Sequence, residues 1–303
     1  MSHSTTHPAT HLAQARPSLW APSLRAVADR YDSWVVDQWG VLHNGVIAYP
    51  GAAEALRELM RRGDTVIVLS NSGKRSAPNV ARLAKFGFGA DCYTALITSG
   101  EVAREALSDR EDPYYRGLGR RCWLVSNDGD TSVVDGLAID LVATPGEADF
   151  VLLCGVGEAE TVEHYDPQFR QAAARRLPMI CANPDFVRLT TAGLKPACGT
   201  LAKRYEAIGG AVRWLGKPYP EMYRSCLRLI AANHRRATAV IGDSLDHDIA
   251  GGQASALDTI FLTDGIHHHE FAQAAHRDLL LRRMCERAGL AALPDIAMAT
   301  LTW

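Results

Sequence analysis

The sequence predicts an α/β protein in which a doubly wound parallel sheet is interrupted by a smaller α/β insert. Short apolar runs of strand length alternate with segments whose apolar residues recur at helical spacing. The first two of these runs each end in a polar residue, pass through a turn-prone loop and enter a helix, which is the βαβα order of a parallel sheet. At 303 residues the chain has room for about two domains.

The opening stretch, MSHSTTHPATHLAQARPSLW, is rich in Ser, Thr, His and Pro and reads as a flexible leader, residues 1–20. Leu24 to Tyr31 has the pattern of a short amphipathic helix. Trp34, Val35 and Val36 make a strand that ends at Asp37, and the loop WGVLHNG leads to a helix on Ala53, Leu56, Leu59 and Met60. TVIVLS is the next strand, ending at Ser70, and NSGKRSAP leads into a helix with Val80, Leu83 and Ala84. The rhythm continues with ALITSG and a helix to Leu107, strands RCWLVS and DFVLLCG, a helix from about Phe169 to Arg176, and strand PMICAN. After Asn183 come a helix near Leu201 to Ile208, strand AVRWLG, a helix Glu221 to Ala232, strand TAVIGD, a helix through Ala250, and strand DTIFL. The simplest partition is a discontinuous core, 21–90 and 184–303, around an insert at 91–183.

Lys and Arg number 32 against 34 Asp and Glu, so no basic excess supports a grip on nucleic acid. No apolar stretch approaches the length of a membrane span, and the leader lacks the apolar core of a signal peptide. The seven cysteines are odd in number, never form CxxC pairs and sit mostly in apolar runs, as reduced buried thiols of a cytoplasmic protein do.

Three strand ends carry complementary polar groups: Asp37 after WVV, Ser70 after VIVL and Asp243 after AVIG. Ligands of open α/β sheets bind at the carboxyl ends of strands, so the three are expected to face one crevice. Lys217, in GKPYPEMY, adds a cation before a helix. Two carboxylates suit a hard divalent cation, a hydroxyl and an ammonium suit phosphoryl oxygens, and a carboxylate can attack phosphorus. Singly, each is a common turn or cap residue; together they describe phosphoryl transfer through an aspartyl-phosphate.

On these residues, and on the segments DQWGVLHNG, VIVLSNS, CANPD, PACGTL, GKPYPEMY and GDSLDHDIAGG, the chain resembles the haloacid dehalogenase superfamily of phosphatases, subclass IIA, the NagD and p-nitrophenylphosphatase type. The likeness runs from about Trp34 to about Gly265. It implies a HAD-like, Rossmann-like core with an inserted α/β cap that closes over the crevice and selects substrates. It also implies that Asp37 is the nucleophile, Ser70 orients the phosphoryl group, Lys217 neutralises its charge, and Mg²⁺ sits on Asp37, Asp243 and the carbonyl of Trp39. Asp248 matches the second acid of GDxxxxD, near the metal or Lys217. Asn71, Ser72, Asn183 and Asp185 are expected substrate contacts, with a turn as the alternative for Asn183 and Asp185.

One position departs from the family pattern. The first motif is usually DxD, its second Asp protonating the leaving oxygen and later activating water, and here that position is Trp39. Indole does neither. General acid–base catalysis contributes about 10²–10⁴-fold, or roughly 3–5 kcal/mol, so acyl and aryl phosphates, whose leaving groups need little protonation, would lose least. His43, four residues on, either replaces the acid or hydrogen-bonds the loop.

The expected function is Mg²⁺-dependent hydrolysis of a small phosphorylated metabolite, with no nucleic acid or membrane partner and a homodimer through the cap as the expectation from resemblance. The rivals are a phospholigand-binding or regulatory protein of negligible turnover and a phosphotransferase. Gly73 and Lys74 either approach the phosphate or cap a helix. His267 to His269 read as a solvated loop, Asp246 and His247 as capping or surface groups, and the helix from His276 to Arg287 packs on the core or serves a partner.

Overall fold

The computed structural model describes residue 12 and residues 16–157, 160–190, 193–232 and 237–303. Four strands open the chain: β1 (Leu19–Trp20), β2 (Ser33–Asp37), β3 (Thr65–Ser70) and β4 (Ala95–Thr98). Seven follow, β5 (Arg121–Val125), β6 (Asp140–Leu141), β7 (Phe150–Leu153), β8 (Pro178–Cys181), β9 (Val187–Thr190), β10 (Gly193–Pro196) and β11 (Ala211–Trp214). β12 (Thr238–Gly242), β13 (Asp258–Leu262) and β14 (Ile296–Met298) complete the series. Among the described residues they form a seven-stranded sheet, β1-β14-β13-β12-β2-β3-β4, a five-stranded sheet, β11-β8-β7-β5-β6, and the hairpin β9-β10.

The chain divides into two compact units. One runs to Ile67, takes Phe88–Thr94 and resumes at Ile230; the other comprises Val68–Gly87 and Ala95–Leu229.

In the first unit the pairings β1/β14, β14/β13, β13/β12 and β12/β2 are all parallel. Every residue of β2 is buried, which is why its sequence is a continuous apolar run rather than an alternating one. The helix Ala52–Arg61 buries Ala52, Ala55, Leu56 and Leu59, a stripe rotated from the expected one because Ala53 and Met60 stay half-exposed. The C-terminal helix Arg277–Arg287 packs on this unit, with Leu281, Met284 and Cys285 buried beside Ile249, Phe261 and Phe271.

Three expectations are corrected here. Leu24 to Tyr31 forms two 3-10 turns, Leu24–Ala26 and Ala28–Arg30, because so short a segment does not sustain an α-helix without a capping side chain, and Ser23 makes no cap bond. The described part of the expected leader is held in place: Leu19–Trp20 adds a strand beside β14, and the Ser18 hydroxyl donates to Pro294 O at 2.6 Å. The rest of the expected leader, 1–11 and 13–15, lies outside the described residues. His268 opens a short helix, His268–Ala272, instead of lying in a loop, because Phe271 is buried in the cluster around Phe261; His268 and His269 are exposed, as expected.

The second unit is built on the five-stranded sheet, parallel throughout. The helix Asp166–Ala174 brings Phe169 onto Trp123, Tyr165 and Tyr205, and the helix Cys198–Ala207 adds Leu201 and Ala202 to the same core. β11, assigned to the core from sequence, is hydrogen-bonded to β8 in this sheet. All seven cysteines are buried and free.

Candidate active site

Asp37 closes β2, Asp243 follows β12, and Asp248 lies in the π-helical turn Leu245–Ile249. Each offers a carboxylate oxygen within 4.8 Å of the others'. Asp37 is 9 % exposed, Asp243 2 % and Asp248 1 %. Three such groups, taken out of water at this separation, repel unless a cation or protons intervene.

The backbone is shaped to hold them. Asp37 Oδ1 accepts from Gln38 N at 2.6 Å, and Asp243 Oδ2 from Ile266 N at 2.8 Å. Asp248 Oδ2 accepts from Ser244 N at 3.2 Å, and Ser244 Oγ caps the turn by accepting from His247 N at 3.2 Å. A Cβ on Gly40, which has φ +82°, would overlap Asp243 Oδ2, and one on Gly242 would overlap the carboxyl carbon of Asp248. Asp246 is exposed, and Ser244 does the capping expected of its neighbours.

The loop after β2 is pinned through His43, which is fully buried. Its Nδ1 accepts from Gly45 N at 3.0 Å, so the proton of the neutral ring sits on Nε2. Gln38 Nε2 lies 3.1 Å from that Nε2, and Gln38 Oε1 is buried with no partner. Exchanging the amide's oxygen and nitrogen satisfies both groups, so Oε1 accepts from the ring. Trp39 stands edge-on to His43, centroids 4.9 Å apart, and Gly45 lies where a Cβ would overlap the indole. Tyr49 shares this neighbourhood: burial first, then the carboxylates of Asp243 and Asp264, push its phenol up.

The second unit carries the other predicted residues. Ser70, 3 % exposed, ends β3, and its hydroxyl accepts from Ser72 N at 3.3 Å. Asn71 is buried, and its amide joins two distant segments: Nδ2 donates to Asp185 Oδ1 at 2.8 Å and Oδ1 accepts from Lys217 N at 2.7 Å. Lys217 is 3 % exposed. Asn183 Oδ1 accepts from Asp185 N at 3.0 Å, the turn-forming bond that is its alternative role. Ser72 Oγ accepts from Lys74 N and Asn79 Nδ2.

The structure thus brings Asp37, Asp243 and Asp248 together in one unit, and Ser70, Asn71, Asp185 and Lys217 together in the other. Sequence reasoning missed Gln38, Gly40, Gly242 and Tyr49. The signal available for the glycines was their place beside strand-end acids, in DQWG and IGDS.

Comparison with known proteins gives the same family. A family model for haloacid dehalogenase-like hydrolases matches residues 34–140, and a second, HAD-hydrolase-like, matches 214–284. Dihydroxyacetone phosphatase of Corynebacterium glutamicum is 40 % identical over 243 residues, 77 % of this chain and 82 % of that protein. Ribonucleotide monophosphatase NagD of Escherichia coli is 29 % identical over 240 residues, 77 % and 87 % of the two chains. A haloacid dehalogenase-like hydrolase of Brucella suis superposes with a TM-score of 0.77 at 28 % identity, covering 93 % of this chain and 99 % of that one. No described helix is long and apolar enough to cross a membrane. With its carboxylates at the strand ends and these relatives, the chain belongs to the haloacid dehalogenase-like hydrolases, as a phosphatase of the NagD-like subclass IIA.

Proposed function

We propose that this phosphatase hydrolyses a phosphate monoester or acyl phosphate of a small metabolite through an aspartyl-phosphate on Asp37, with Mg²⁺ as its metal. The observation that carries the reading is the approach of Asp37, Asp243 and Asp248 to within 4.8 Å. Three buried oxygen donors fit a hard divalent cation, and the carbonyl of Trp39 completes the expected set. Bound there, the ion supplies charge neutralisation at the phosphoryl oxygens.

The protein's own groups do the rest. Asp37 Oδ1 is held by Gln38 N, which fixes the carboxylate's plane for attack by its other oxygen on phosphorus. The phosphorus–oxygen bond to the leaving group breaks, and the resulting aspartyl-phosphate is then hydrolysed by water. Ser70 donates to a phosphoryl oxygen and Lys217 balances its charge, with Asn71 setting the position of Lys217 through the backbone. His43 acts as the loop's anchor rather than as an acid, since both ring nitrogens are engaged inside the loop.

With indole at position 39 the leaving oxygen receives no proton from that residue, so aryl and acyl phosphates are the favoured chemical types. The names of the relatives, dihydroxyacetone phosphatase and ribonucleotide monophosphatase, support a small phosphorylated metabolite as substrate.

The test is phosphate release from matched aryl, acyl and alkyl phosphates, with and without Mg²⁺, by the native chain and Asp37→Asn. Release that requires both Mg²⁺ and Asp37 and favours aryl or acyl esters supports the reading. No release from any ester would leave a phospholigand-binding protein, and transfer of the phosphoryl group to an added alcohol in preference to water would mark a phosphotransferase.

A further inference from the structure

The five-stranded sheet has a topological switch point. From β5 the chain passes to β6 on one side and then returns to β7 on the other, giving the order β6-β5-β7-β8-β11 with all strands parallel. Connections that diverge from one strand leave a crevice outside its carboxyl end, and in open α/β sheets that crevice is where ligands lodge. Here β5 ends at Val125 and β7 at Leu153, and the residues that follow them, Ser126, Asn127 and Cys154, line a crevice of about 310 Å³.

Its opposite wall is the loop that follows Ser70. Ser72, Lys74 and Asn79 line it, and the loop is curled by the Ser72 hydroxyl, which accepts from Lys74 N at 3.3 Å and Asn79 Nδ2 at 3.2 Å. The two walls touch: a Cβ on Gly73 would overlap the carbonyl oxygen of Cys154. Ser72, which lines the crevice, donates its backbone N–H to the Ser70 hydroxyl at 3.3 Å, so the crevice begins beside the hydroxyl assigned to the phosphoryl group. Two cations line the crevice, Lys74 and Arg82; Arg82 is already engaged in an interaction of its own, whereas Lys74 has no carboxylate within ion-pair distance among the described residues. Asp130 on the facing wall is occupied by Ser132 N at 3.0 Å. Burial works against its charge, yet the Ser132 bonds, with a smaller contribution from Lys74, hold its carboxyl below the ordinary range.

We propose that this crevice holds the far end of the phosphate ester and that Lys74 selects esters whose far end carries a second anionic group, a carboxylate or another phosphate. The inference rests on the phosphatase reading for where the phosphoryl group lies, and Lys74 acts on specificity, not on the phosphoryl transfer.

Binding to the Asp37→Asn chain, followed by calorimetry in Mg²⁺, tests it without requiring turnover. The probes are 3-phosphoglycerate and glycerol 3-phosphate, alike except for a carboxylate in place of a hydroxymethyl group. 3-Phosphoglycerate is expected to bind roughly tenfold more tightly, the scale of one charge-assisted hydrogen bond. Adding Lys74→Gln should bring the ratio close to one, and adding Asp130→Asn should widen it, because the opposing charge is gone. Equal affinities on the Asp37→Asn chain, a ratio that survives Lys74→Gln, or a ratio narrowed by Asp130→Asn would each overturn the proposal. A failure of the phosphatase reading shows separately, as a native chain that releases no phosphate from any ester.

Discussion

Gly40 and Asp243 are packed so closely that a methyl group on the glycine would occupy the space of carboxylate oxygen Oδ2. The same oxygen accepts from Ile266 N at 2.8 Å, so two backbone segments close on one buried carboxylate. The acid at the end of β12 is thereby held in a fixed orientation, which is what a metal ligand or a phosphoryl-facing group requires.

Gly40→Ala should therefore damage the site more than it damages the fold. The left-handed φ of +82° costs alanine about 1–2 kcal/mol, and the methyl displaces Asp243. The expected outcome is a modest fall in melting temperature with a loss of at least about 10²-fold in phosphate release. Near-native activity would show that the Asp243 orientation is not critical.

Metal removal should be visible in stability. Asp37, Asp243 and Asp248 repel one another in the absence of a cation, so Mg²⁺ at about 100 times its Kd should add roughly 2.7 kcal/mol. Asp243→Asn keeps the shape and an acceptor for Ile266 N while removing one charge. In chelator it should melt at or above the native temperature, and Mg²⁺ should raise it less than the native chain. Thermal melts of both proteins across a Mg²⁺ titration check this, and equal Mg²⁺ responses would place the ion elsewhere.

The strand-end acids were legible because the physics that writes them is local. A parallel strand buried on both faces must be a continuous apolar run, so SWVVD and TAVIGD announce both the strand and the polar residue at its exit. Gly40 and Gly242 were legible only as neighbours of strand-end acids; what requires them, the Asp243 carboxylate packed on Gly40 and the Asp248 carboxylate packed on Gly242, is set by the folded chain. The same holds for β11: AVRW reads as a strand, but its partner β8 is set by long-range packing. β1 and β14 were missed because two- and three-residue strands carry no periodicity. The antiparallel hairpin β9-β10 was missed because a rhythm of parallel units around it gave no cue for a direct reversal.

His43→Asn separates anchoring from proton transfer. The buried ring accepts from Gly45 N and bonds Gln38, and breaking these should cost about 1–3 kcal/mol of stability. The shape of the pH dependence of kcat/KM should remain that of the native enzyme. A limb displaced by more than about half a pH unit would return His43 to the role of acid.

Acid should weaken the second unit through Asp149. Its carboxylate accepts from Arg121 Nη2 at 2.7 Å and from the backbone N of Arg120 and Arg121, and the Arg121 hydrogen bonds hold its pKa down at about 2. A carboxyl depressed in the folded state contributes stability that is present above its unfolded value of about 3.9 and is lost as pH falls toward its folded value. Arg121 is half-exposed, so solvent screening reduces the contribution to about 1 kcal/mol. Asp149→Asn should lower the melting temperature slightly at pH 7, and the difference from the native chain should shrink as pH falls from about 4 toward 2. A difference constant across that window would assign the effect to shape rather than charge.

Asn71 offers the sharpest distinction between touching the substrate and holding the group that does. Its amide is spent on Asp185 Oδ1 and Lys217 N, positions far apart in the chain, and it is 7 % exposed. A residue that bound substrate directly would, when replaced by alanine, raise KM and leave stability unchanged. A residue that ties Lys217 in place should instead lower stability by about 1–3 kcal/mol, from the buried groups left unpaired, and lower kcat/KM by about 10²-fold as Lys217 drifts. Asn71→Asp should be worse than Asn71→Ala, because it loses the donor to Asp185 and sets two carboxylates against each other. Melting temperature and kcat/KM measured on the same two variants decide between the roles, since only positioning couples the two losses and orders them Asp below Ala.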